Sequence, residues 1–205
     1  MENIFDKIDL TFFQINKNEK INKKSHDFNS SIDYNLFLKG QKIGLDNNTL
    51  SFFKESNGYV MSWEKDSTNN ICGKINILKL EFILNGLKSN YPNILNDDPL
   101  YNFHPIDQFT DEAHCGIFIN KTANNRMFFH REGESEIIDL MIDFNAYIVL
   151  ALEARGFFYW QKHIIEKIYS ITSIESENFK NQMPKIFNDF NLESFDNKFE
   201  NLKLK

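Results

Sequence analysis

Phe5, Ile8, Phe12 and Ile15 recur three and four residues apart, which puts them on one helical face, so the chain is expected to open with an amphipathic helix docked on a core. From Asn16 to Ser31 the only large apolar residues are Ile21 and Phe28, while Lys17, Lys20, Lys23 and Lys24 gather there. That stretch, residues 16–31, reads as a polar, solvated, mobile loop. A second helical pattern follows in LDNNTLSFFKESNG, where Asp46 or Asn48 can serve as N-cap and Leu50 and Phe53 face the core. Asn57 and Gly58 stop it, because a chain leaving a helix commonly needs a positive φ that Gly adopts freely and Asn tolerates.

After that stop the rhythm changes to two. Tyr59, Met61 and Trp63 alternate with Val60, Ser62 and Glu64, and ICGKINIL alternates again, predicting two consecutive strands. KLEFILNGL reads as a short helix, and Asn90 to Pro105, rich in Asn, Asp and Pro, as a long loop. HCGIFI, RMFFHR and EIIDL read as further strands, the last two joined through EGES with Gly133 in the turn. FNAYIVLALEAR, opened by Asp143 and stopped at Gly156, is a buried helix, and FFYWQKHIIEKI starts another with Trp160, Ile164 and Ile168 in phase. Residues 172–205, with Phe187, Phe190 and Phe195 among Asn and acids, predict a C-terminal helical extension of one helix. The expected fold is α+β: a single domain over residues 1–205, with a mixed, mostly antiparallel sheet of about five or six strands flanked by helices.

Composition narrows the function classes. With 41% hydrophobic residues and 21 Phe, the chain can bury a sizeable core. A net charge of -6 argues against a nucleic-acid partner, which calls for a basic face. Cys72 and Cys115, far apart, read as reduced thiols of a cytoplasmic protein, and MENIFDKIDLTFF carries neither a basic leader nor a small-residue cleavage site. FNAYIVLALEARGFFYW is the longest apolar stretch, and Glu153 and Arg155 interrupt it, so no membrane span is expected.

Candidate chemistry is sparse. His104, His114, His130, Cys72 and Cys115 invite a metal or a cysteine nucleophile, but adjacent His114 and Cys115 on a strand point to opposite faces, and Cys115 is in phase with Ile117 and Ile119 on the inward side. No GxSxG, P-loop, strand-following GxGxxG or HExxH is present. No catalytic residue, metal or cofactor is expected. Asp97, Asp98, Asp107, Asp111 and Glu112 lie in or beside the long loop, where they either keep the protein soluble or form a binding surface for a basic partner. Trp63 and Trp160 read as core residues more readily than as exposed anchors.

In order, LSFFKESNGYVMSWE, GKINIL, FHPIDQF, RMFFHREGESEIIDL and DFNAYIVLALEARGFFYWQKHI make the chain resemble the SUKH superfamily, which includes bacterial immunity proteins and fungal cell-wall-assembly regulators. The resemblance is clearest over 46–165, above all in the helix-Asn-Gly-strand passage ending at Trp63 and in Arg155 to Gln161. It implies that Asn57, Gly58, Trp63, Gly156 and Trp160 hold the fold. It also implies a protein that binds and neutralises a cognate bacterial toxin domain by occlusion, without catalysis. The acids named above, with Glu64, are then the expected toxin-facing residues, and the toxin is expected to be basic. A regulatory interaction scaffold, or less readily a hydrolytic enzyme, is the alternative.

Overall fold

The structure is a computed structural model that describes residues 3–66, 71–89, 94–119, 126–134 and 136–205. Residues 90–93 of the expected long loop and Ser135 of the EGES turn lie outside the described residues. The architecture is α+β: α1 (Ile4–Lys17), β1 (Lys23–Phe28), α2 (Tyr34–Lys42), α3 (Asn47–Glu55), β2 (Tyr59–Asp66), β3 (Ile71–Ile77), α4 (Leu80–Asn85), β4 (Phe103–Asp107), β5 (Ala113–Phe118), β6 (Arg126–Arg131), β7 (Ile137–Asp143), α5 (Phe144–Glu153), α6 (Trp160–Tyr169), α7 (Ile174–Ile186) and α8 (Leu192–Leu202). The seven strands neighbour one another in chain order, and β3 through β7 pair antiparallel. Among the described residues no helix is long and apolar enough to cross a membrane.

The sheet has slightly more strands than the five or six expected, and two of them, β1 and β4, were not among the strands read from the sequence, for different reasons. β1 falls inside the stretch read as a loop. It is polar, and as the first strand of the order its sequence has no hydrophobic alternation to betray it. Side chains fasten it instead. Lys24 Nζ donates to the carbonyls of Asn16 (2.7 Å) and Asn18 (3.0 Å), Lys23 pairs with Glu64 (3.0 Å), and the Ser25 and Ser62 hydroxyls meet at 2.8 Å. β4 lies at the end of the Asn90–Pro105 stretch and is buried throughout, with a register shift between Pro105 and Asp107 that accommodates the missing proline N–H. The C-terminal extension also holds two helices where one was expected. Ser173 and Asn191 each cap a new start by accepting from the backbone N–H three residues on (3.1 and 2.8 Å).

Two compact units, each drawn from separated segments, divide the chain: Met1–His26, Val60–Ile75 and Ala146–Lys205 in the first, Asp27–Tyr59 and Asn76–Asn145 in the second. The core of the first unit is aromatic. Phe179 touches Phe157, Phe190 and Phe195 at centroid distances of 5.9, 5.5 and 5.2 Å, Trp63 meets Phe187 edge-on at 5.3 Å, and Trp160 lies 5.3 Å from Tyr147. Such pairs add about 0.5–1.5 kcal/mol each beyond burial, so β2, α6, α7 and α8 are held by ring geometry as well as by area. In the second unit Phe52 and Phe53 of α3 pack on Phe144 (5.5 and 6.2 Å), and Phe109 packs on Phe129 (6.4 Å).

The Asn57-Gly58 pair belongs to this framework. α3 ends at Glu55 with Ser56 extended, and Gly58, two residues further on, takes φ +99°. Asn57 Oδ1 accepts from Leu80 N–H and its Nδ2 donates to Glu81 (both 2.8 Å). It thereby caps α4, whose own N-cap position is Lys79, with no capping side chain. In the first unit the two most specific passages of the resemblance meet: Trp63 Nε1 donates to the Arg155 carbonyl at 2.6 Å. Gly156 (φ +63°) accepts from Lys74 N–H at 2.7 Å, and a Cβ there would meet the Lys74 carbonyl carbon at 2.9 Å. Trp160 is buried in the same core.

Candidate functional site

The acids singled out in the sequence separate into different roles. Asp107 is 0% exposed, and its carboxylate accepts from Asn76 N–H at 2.8 Å. This corrects the expectation that it faces a partner: a buried carboxylate with a structural bond has no surface to offer, and β4 has replaced the loop that would have exposed it. Asp98 is half-buried and caps the 3₁₀ turn at Pro99–Asn102 by accepting from Leu100 N–H (2.8 Å). Asp97 and Asp111 are exposed. Glu64 belongs to the first unit, where it pairs with Lys23, whereas the other five acids belong to the second.

Antiparallel pairing adds acids that the sequence reading passed over. Ala113 of β5 stands opposite Arg131 of β6, and Glu132 N–H donates to the Glu112 carbonyl at 2.7 Å. Asp111 and Glu112 are therefore carried next to Glu132 and Glu134 at the start of the β6–β7 turn. Arg131 lies among them, bonded to Glu112 at 2.7 Å and 4.0 Å from Glu134. Glu134 and Asp98 both act on His130 of β6 through their charge, while the turn that carries Asp98 leads into Phe103, which pairs with Phe118 at the other end of β5 from Ala113. The turn that carries Asp98 also exposes Leu95, 69% accessible, whose carbonyl accepts from Asp98 N–H at 3.0 Å. Asp111, Glu112, Glu132 and Glu134 thus form an acidic rim around Arg131. The run EGESE was the available signal, but only the β5–β6 register joins it to Asp111 and Glu112.

Beneath this rim His114 and His130 are buried side by side, Nε2 to Nδ1 at 3.1 Å, with the Phe103 ring against both. Burial, reinforced by His130, pushes His114 down to about 4. Burial also lowers His130, against the pull of Glu134 and Asp98. One ring must donate and the other accept, which suits two neutral imidazoles. His104 Nδ1–H donates to the Ile83 carbonyl at 2.5 Å, since that oxygen can only accept. Cys115 is buried, and burial with the nearby Glu64 raises the Cys72 thiol to about 11, so little of the nucleophilic thiolate forms at neutral pH. Among the described residues no three His, Cys, Asp or Glu side chains come together in a way that could hold a metal ion.

The first unit contains a cleft of about 370 Å³ between α1, the end of α5 and the α7–α8 connection. Its floor is Arg155, and Lys7, Glu153, Asp189 and Lys198 stand around it. Glu153 pairs with Lys7 (3.4 Å) and with Lys198, and these cations hold its carboxyl below the usual range against the cost of burial. No protein-family model matches the chain, and a comparison with curated proteins gives no match.

Proposed function

We propose that this is an immunity protein that acts in the cytoplasm by binding a basic toxin domain and covering its working surface, without chemistry of its own. The observation that carries the reading is the distribution of charge. The second unit has 15 acids against 8 bases, the first 14 against 15, so the whole acidic excess of the chain falls in one unit. Within it Asp111, Glu112, Glu132 and Glu134 gather at the Ala113–Arg131 end of the β5–β6 ladder. Opposed potentials of this kind accelerate encounter and orient docking, while an apolar side chain such as Leu95 supplies contact area that charge cannot. The resemblance to the SUKH superfamily points to the same class of partner.

The test is capture from the host that carries the chain, followed by reconstitution with the captured domain. A single basic domain held in a one-to-one complex and silenced by it is the expected result. Turnover of a substrate by the purified chain, or a set of unrelated weak partners, would sink the reading.

A further inference from the structure

Arg155 is the most deeply buried cation of the cleft in the first unit, its side chain 7% exposed. Nη1 donates to the Glu153 carbonyl (3.3 Å), and Nη2 to Asp189 Oδ2 (2.6 Å) and, more weakly, to Gln14 Oε1 (3.4 Å). Nε is buried with no hydrogen-bond partner. Nε and Nη2 share one edge of the guanidinium, and that edge is built to grip two oxygens of one oxyanion. Only half of the fork is used. The group that uses it, Asp189, is 55% exposed and sits between α7 and α8 in a connection rather than in an element. A second contact steadies the guanidinium, whose central carbon lies 4.6 Å from the centre of the Phe187 ring.

The rest of the lining has the same polarity. Glu153 is shared by Lys7 and Lys198, so the cleft holds three cations against two carboxylates, one of which is the half-exposed Asp189. A cavity of about 370 Å³ falls at the lower end of the range that takes small molecules. We propose that this cleft binds a small ligand through a carboxylate or phosphate group seated on the Nε and Nη2 edge of Arg155, and that Asp189 fills this seat in the free protein and gives it up to the ligand. Lys7 and Lys198 at the rim favour the negative charge of the incoming group. The site is independent of the acidic rim and does not rest on the immunity reading.

The experiment titrates the full chain with sodium acetate and, separately, with sodium phosphate, at pH 7 and with ionic strength held constant by sodium chloride. Melting temperature and backbone amide shifts around Arg155 and Asn191 are followed. Wild type is expected to respond saturably to at least one anion, and the one that saturates at lower concentration assigns carboxylate or phosphate. Asp189→Asn removes the competing carboxylate, so its apparent affinity should rise at least about tenfold, the worth of one charge-assisted hydrogen bond. Arg155→Lys keeps the charge but loses the fork, and should abolish saturation; should that variant not fold, Asp189→Asn decides alone. No saturable response in wild type, or one that Asp189→Asn leaves unchanged, overturns the proposal. A response confined to Asp189→Asn does so as well, since it would make Arg155 and Asp189 a structural ion pair and nothing more.

Discussion

Gly58 measures how much one atom can decide. At φ +99° an L side chain is strained in any case, and a Cβ would stand 2.7 Å from the Ile77 carbonyl oxygen and 3.3 Å from the Leu78 carbonyl carbon. Positive φ alone makes Asn a milder replacement than Val, but the carbonyl contact is with backbone and takes no account of which side chain follows. Gly58→Val, Gly58→Asn and Gly58→Ala should therefore all destabilise, by about 2 to 4 kcal/mol from strain and overpacking together. Urea unfolding followed by circular dichroism checks this, and an unchanged midpoint for Gly58→Ala would mean that the turn relaxes. Asn57 works through its two polar ends. Asn57→Leu leaves Leu80 N–H without its cap and should cost about 1 kcal/mol, with little change for a surface Asn elsewhere as the control.

At the scale of elements, the pairing of β5 with β6 determines both a surface and a pH response. Its register sets His130 opposite His114 and Arg131 opposite Ala113, so the acidic rim and the buried imidazoles come from the same ladder. The groups facing the pair are Phe103 of β4, Glu134 beyond β6, and Asp98 from the 3₁₀ turn. His114 is held at about 4 when folded, against 6.5 ordinarily. Between those values the unfolded chain binds a proton that the folded chain refuses, so stability is full above pH 6.5 and falls as pH drops toward 4. For this buried group the loss is on the order of 3 kcal/mol across the window. His114→Gln should flatten the dependence of the urea midpoint on pH by about one proton. A slope identical to wild type would move the acid sensitivity elsewhere. The lysines of the sequence's basic stretch likewise act at element ends: Lys24 donates to the last carbonyls of α1, and Lys20 donates to Lys185 O of α7 at 2.8 Å. The stretch that looked free to move is tied to two helix C-termini, where cations are favoured.

For the molecule as a binding partner, charge and contact should separate in the kinetics. Neutralising Asp111, Glu112, Glu132 and Glu134 together should slow association with the basic partner several-fold at low salt and hardly at all near 0.5 M, because the attraction acts over a screening length of about 8 to 10 Å at physiological strength. Dissociation should change little. Leu95→Ala should do the reverse, speeding dissociation by about threefold to tenfold while leaving association near wild type. Stopped-flow binding at two ionic strengths reads both, and an association rate indifferent to the four acids would return the rim to a solvated surface.

α1, α3, α5 and α6 were legible in the chain because helical periodicity and capping depend on residues within a turn or two: Asp46 caps α3 by bonding Thr49 N–H at 2.6 Å, three positions away. The five strands with apolar alternation were legible for the same local reason. β1 and β4 were not, since a polar first strand and a proline-bearing buried strand exist only through their neighbours in the sheet. Nor could the sequence say that Asp107 is buried on Asn76, 31 residues away, that Glu112 meets Glu132, or that Arg155 holds Asp189, 34 residues on. Local dihedral preference and hydrophobic rhythm are properties of adjacent residues. The burial of a carboxylate, the register of a ladder and the partner of a guanidinium are properties of segments that meet only when the chain has closed on itself, and those decided where the candidate sites lie.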